Sequence, residues 1–164
     1  MQLIADSGST KVDWRAIKED GSVIEIFTEG INPVFQTKEQ ILEIFNTKLV
    51  PVLGNGVKEI HFYGAGVVSP EVSGTLAGYF KEVFPESVCY AASDVLAAAR
   101  ALCGHKPGIA CILGTGSNSC MYDGKDIVKN VRAGGLILGD EASVCYHGTR
   151  LISDFIIGLH PKVI

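Results

Sequence analysis

Two glycine- and hydroxyl-rich segments, Asp6-Ser7-Gly8-Ser9-Thr10 and Gly114-Thr115-Gly116-Ser117-Asn118, each follow a short apolar run and lead through a second strand to an Asp-Gly turn. Residues 5–10 overlie residues 113–118 at an offset of 108, with a hydroxyl–Gly–Ser core in common. The shared context predicts a duplicated strand–loop–strand unit. Glycine at a hairpin tip lets backbone N–H groups converge on an anion with no Cβ in the way, and Ser or Thr hydroxyls add donors. One such tip alone reads as a tight hairpin. A pair at equivalent places in a repeat predicts that nucleotide phosphates are held from both sides. Neither loop carries a Walker A or a GxGxxG pattern, so the folds built on those are not supported.

The rest of the chain predicts an alternation of strands and helices. Leu3-Ile4-Ala5, the alternating run from Val12 to Ile17, and Val23 to Phe27 after Asp20-Gly21 read as three strands. Thr37 to Val50 reads as a helix with a Thr37/Gln40 capping box, ended by Pro51 and Gly54-Asn55-Gly56. A strand at residues 60–63, a helix at 70–84, a strand at 87–90 and a Ser93-capped helix from Asp94 to about Cys103 follow. Strands at residues 109–113, 117–122 and near 127–128 restart the pattern, and residues from about Glu141 to Pro161 read as helical with a weak point at Gly148.

The net charge is −4, with no Lys/Arg run, which argues against nucleic acid or an anionic membrane as the main partner. No apolar run reaches the ~18 residues a membrane span needs, and the N-terminus lacks a signal-peptide pattern. Cys89, Cys103, Cys111, Cys120 and Cys145 are odd in number and show no CxxC, a poor disulfide framework and a poor metal or iron–sulfur site. A cytoplasmic protein with reduced cysteines is expected. His61, His105, His147 and His160 have no metal-like spacing.

The run Leu3 to Trp14, then Gly30-Ile31-Asn32-Pro33, Ser93-Asp94, Gly114 to Asn118 and Leu138-Gly139-Asp140-Glu141-Ala142-Ser143 follow one another in an order that resembles the N-acetylglucosamine kinase and BadF/BadG-type ATPase family. That family lies within the actin, sugar kinase and heat-shock chaperone superfamily. The resemblance implies an α/β, duplicated ribonuclease-H-like fold with mixed sheets, flanking helices and nucleotide and substrate between two lobes. Residues 1–107 would form the first lobe and residues 108–164 the beginning of a second. The adenosine-binding part and a returning C-terminal helix would lie beyond position 164, so the second lobe is expected to be incomplete.

The resemblance also implies roles. Asp6 would hold Mg²⁺ through water. Ser7, Gly8, Ser9, Thr10, Lys11, Thr115 and Gly116 would contact the phosphates of ATP, in line with a chemistry that is mostly positioning and charge neutralisation. Asp94 matches the catalytic base that takes a proton from the attacking sugar hydroxyl, although an Asp after a Ser cap also complements the helix dipole. Asn32, Asn118, Gly135, Asp140 and Glu141 match sugar-side positions, where amides and carboxylates suit adjacent hydroxyls; each reads equally as a loop cap. Two departures bear on the substrate: the link from Gly135 to Asp140 is short and lacks a Trp, and Ala142 stands where the family has Gly. The expected activity is an ATP-dependent kinase acting on an amino sugar such as N-acetylglucosamine. The alternatives are a BadF-type ATPase that activates a partner enzyme, against which the unclustered cysteines count, and a non-catalytic sugar-binding fragment. Uncovered apolar surface in the second lobe predicts self-association, as in a homodimer.

Overall fold

The computed structural model describes residues 1–8, 10–131 and 134–159. The chain forms two compact units, Met1–Ala97 and Ala98–Ile164. The division between these units falls within the helix Asp94–Cys103.

Unit 1 holds a five-stranded mixed sheet in the order β3-β2-β1-β4-β5, with β1 Gln2–Ser7, β2 Lys11–Ile17, β3 Val23–Glu29, β4 Glu59–Gly64 and β5 Val88–Ala92. β1, β2 and β3 are an antiparallel meander, and β4 and β5 join parallel to β1. The two-residue period sends Leu3, Ala5, Val12, Trp14, Ala16, Ile60 and Phe62 to one face, all fully buried. Helices α1 Lys38–Ile44 and α3 Pro70–Val83 bring Ile41, Leu76 and Phe80 to the same core. Trp14 packs edge-on to Phe45 and Phe80, whose rings stack with centroids 4.3 Å apart. Such pairs contribute about 0.5–1.5 kcal/mol each beyond burial. The indole N–H, which would be costly to bury alone, donates to Thr28 Oγ1 at 2.9 Å.

α1 begins on the expected capping box, with Thr37 and Gln40 bonding reciprocally. It does not stop at Pro51. A π turn at Phe45–Leu49 widens the winding just before the proline, which then occupies the first turn of α2 Val50–Leu53, where its missing N–H costs little. Gly54 ends the run at φ 56. α4 is Asp94–Cys103. Burial pushes the Cys89 thiol up to about 12, consistent with an inert core cysteine.

Unit 2 carries an antiparallel sheet of β6 Gly108–Leu113, β7 Ser117–Tyr122 and β8 Ile127–Val131. A single helical turn, α5 Gly135–Leu138, follows. α6 Val144–Ile156 starts at a Ser143 N-cap, later than Glu141, and passes through Gly148 unbroken. Its predicted extension towards Pro161 and the reading of His160 fall partly outside the described residues.

Candidate functional site

In unit 1 the first glycine loop joins β1 to β2. Gly8 N–H donates to the Lys11 carbonyl at 3.0 Å and closes the hairpin, with Gly8, Thr10 and Lys11 exposed. Ser9 lies outside the described residues. Asp6 is exposed at the end of β1, directly across from Asp13 of β2. Ser7, by contrast, is fully buried. Its hydroxyl donates to the Ile31 carbonyl at 3.0 Å and accepts from the Ile31 N–H at 3.3 Å. The Ser7 side chain therefore braces the loop that carries Asn32. The Gly30 N–H adds a third tie, to the Thr10 carbonyl at 3.0 Å.

Asn32 sits on that loop, half-buried. Its Oδ1 accepts from the Val34 N–H at 3.0 Å across Pro33, an Asx turn. Its carbonyl accepts from the Phe35 and Gln36 N–H groups, and its own N–H donates to Gln36 Oε1 at 2.7 Å. Gly66, in the turn after β4, lies against the amide: a Cβ there would stand 2.3 Å from Oδ1. Gln36 and Gly66 were not singled out from the sequence. The pair Gly64 and Gly66 after an apolar strand was the available signal, whereas nothing local marked Gln36.

Asp94 opens α4, with Oδ1 accepting from the Val95 N–H at 2.9 Å. Its carboxyl is raised above the usual aspartate range, first by burial and also by the negative charge of Asp6, while the Val95 bond opposes the rise. A carboxylate made more basic by burial and by a second acid is suited to accepting a proton.

In unit 2 the second glycine loop joins β6 to β7. Gly114 N–H donates to the Gly116 carbonyl at 2.9 Å, leaving Thr115 exposed at the tip. Matched through these closing bonds, Gly8 corresponds to Gly114 and Lys11 to Gly116. The 108-residue offset had set Gly8 over Gly116; the strand–loop–strand unit recurs, but with offsets of 106 before the tip (114 − 8) and 105 after it (116 − 11), the second tip being one residue shorter. The Asp140 carboxylate packs on Gly116, where a Cβ would come 2.9 Å from Oδ2. Asp140 has φ 59, and its carbonyl accepts from the N–H of Ser143, whose buried hydroxyl caps α6. The Val144 N–H then bonds the Gly114 carbonyl at 2.9 Å, tying the start of α6 to the glycine loop. Gly135 begins α5 at φ 68. A cavity of about 250 Å³ is lined by Asn118, Asp140 and Glu141 together with Cys111, Leu113, Ser117, Ser119, Val131 and Gly134. Three predicted sugar-side residues thus share one recess. Among the described residues no cluster of three or more His, Cys, Asp or Glu side chains could hold a metal ion, and no helix is long and apolar enough to cross a membrane.

No protein-family model and no curated protein matches the chain. Among solved structures, the chain is similar over its whole length to a candidate N-acetylglucosamine kinase from Porphyromonas gingivalis, at 41% identity and a TM-score of 0.91. A second candidate N-acetylglucosamine kinase, from Chromobacterium violaceum, matches 98% of the chain at 18% identity and a TM-score of 0.60. The chain spans 59% of the length of each. The ethanolamine utilization protein EutJ from Carboxydothermus hydrogenoformans matches 99% of the chain at 14% identity and a TM-score of 0.52, with 73% of its own length covered. The last two share the fold alone. The resemblance carried by the motifs therefore extends along the whole chain, and the fold is the ribonuclease-H-like fold of the actin-like ATPases.

Proposed function

We propose, from the likeness along the whole chain to a candidate N-acetylglucosamine kinase, that this chain carries the reacting residues of an ATP-dependent sugar kinase whose acceptor is an amino sugar such as N-acetylglucosamine. The observation that carries the reading is Asp94: a carboxylate raised by burial and by the charge of Asp6, at the start of a helix. In this reading Asp94 takes the proton from the attacking sugar hydroxyl as that oxygen bonds to the γ-phosphorus and ADP leaves. Asn32, Asn118, Gly135, Asp140 and Glu141 hold sugar hydroxyls. Ser7, Gly8, Ser9, Thr10, Lys11, Thr115 and Gly116 are the residues proposed to meet phosphate oxygens. Mg²⁺ would neutralise phosphate charge. The exposed Asp6 carboxylate fits a hard cation that keeps most of its waters and binds through few carboxylates, Asp13 opposite being paired with Arg15.

Cytoplasmic action fits the five unpaired cysteines. Self-association fits the apolar residues that unit 2 exposes, among them Leu151, Ile152, Phe155 and Ile156 of α6. The test is an ADP-release assay with the intact gene product across hexoses and N-acetylated amino sugars. Turnover with an amino sugar is expected; ATP hydrolysis with no sugar dependence would overturn the reading in favour of a partner-driving ATPase.

A further inference from the structure

We propose that Gln36 is the positioning residue for Asn32, fixing it so that its side chain meets the ligand as a hydrogen-bond donor; the role towards sugar rests on the kinase reading above. The argument is one of satisfied groups. The Gln36 carboxamide brackets the loop: Oε1 accepts from the Asn32 N–H at 2.7 Å and Nε2 donates to the Gly30 carbonyl at 3.1 Å. Only one orientation of that amide serves both, because an N–H needs an acceptor and a carbonyl a donor.

The same logic fixes Asn32. Its Oδ1 is committed to the Val34 N–H, its carbonyl to the Phe35 and Gln36 N–H groups, and its N–H to Gln36. Nδ2 is the group left to meet a ligand, so the partner atom is an acceptor such as a hydroxyl or carbonyl oxygen. Gly66 behind the amide and the Ser7 hydroxyl under Ile31 keep the loop from turning the other way.

The test uses Gln36→Ala and Gln36→Glu. Glu keeps an acceptor for the Asn32 N–H but sets an oxygen against the Gly30 carbonyl. Amide hydrogen exchange by NMR is expected to speed up at Asn32 by about tenfold or more in the Ala variant, with Leu3 in the core unchanged, and to stay slow in the Glu variant. In turnover, the Ala variant is expected to raise the sugar KM by about tenfold while kcat and the ATP KM stay within about twofold. Unchanged exchange at Asn32, or an unchanged sugar KM in the Ala variant, overturns the proposal. If the unsubstituted protein phosphorylates no sugar, the kinase reading falls by itself, and the exchange measurement still decides whether Gln36 holds Asn32.

Discussion

Gly66 stands so close to Asn32 that a Cβ on it would lie 2.3 Å from the Asn32 side-chain oxygen. The obstacle is a side-chain amide held by its own Asx turn, on a residue whose backbone N–H is bonded to Gln36, not a free side-chain end. Gly66→Ala is therefore expected to push Asn32 out of place. The sugar KM should rise by about tenfold or more with the ATP KM little changed. Steady-state kinetics with each substrate varied in turn checks this, and equal effects on both constants would contradict it.

Asp94→Asn separates chemistry from stability. The variant keeps an acceptor for the Val95 N–H but cannot take a proton, so kcat is expected to fall by about 10²–10⁴-fold. The folded carboxyl titrates above its unfolded value of about 3.9. Between the two values the native state binds more protons, so stability falls as pH rises through that window and remains reduced at neutral pH. The Asn variant escapes this penalty. It should melt higher than the parent at pH 7, with the gain vanishing below the unfolded value. A lower melting temperature at pH 7 would refute the assignment.

Ser7→Ala removes a hydroxyl that serves both backbone polar groups of Ile31 in a fully buried position. The expected cost is about 1–3 kcal/mol in urea denaturation, the range for buried groups left unsatisfied. ATP binding by calorimetry should change less than sugar binding, because the bracing runs to the Asn32 loop. The reverse order would mark the Ser7 hydroxyl as a phosphate ligand.

Ala142 adopts φ 65, a left-handed conformation that costs an L-residue about 1–2 kcal/mol. Glycine removes that strain but adds about 0.5–1 kcal/mol of unfolded-chain entropy. Ala142→Gly is thus expected to stabilise by roughly 0.5–1 kcal/mol. Thermal unfolding followed by circular dichroism would show it, and a lower midpoint would argue against the strain.

Much of unit 1 was legible because its signals are local. The alternation of Leu3, Ala5, Val12, Trp14 and Ala16 and the Thr37/Gln40 box need only near neighbours. Ser7 was legible too: it shares parity with Leu3 and Ala5 and so must face the core, while Asp6 faces out. A hydroxyl beside a glycine loop drew the phosphate reading instead. Pro51 was misjudged because a π turn upstream moves the proline into a helix's first turn, and no residue announces that winding. Gln36 was invisible because its partners Gly30 and Asn32 come within reach only once the loop has closed.

The hairpin register also separates how the two units are built. Aligned on their closing bonds, Leu3, Ala5 and Trp14 of the sealed face in unit 1 correspond to Ile109, Cys111 and Ser119 in unit 2. In unit 2 that face is open: Ile109 is 74% exposed and Leu113 62%, while Ala110, Cys120 and Tyr122 on the reverse face are buried. Unit 1 buries that face of its sheet in its core, and unit 2 leaves the corresponding face exposed. The two halves should therefore differ in cooperativity: under mild denaturant unit 2 would loosen first, and whatever covers that face would set the stability of its glycine loop and, with it, of Asp140.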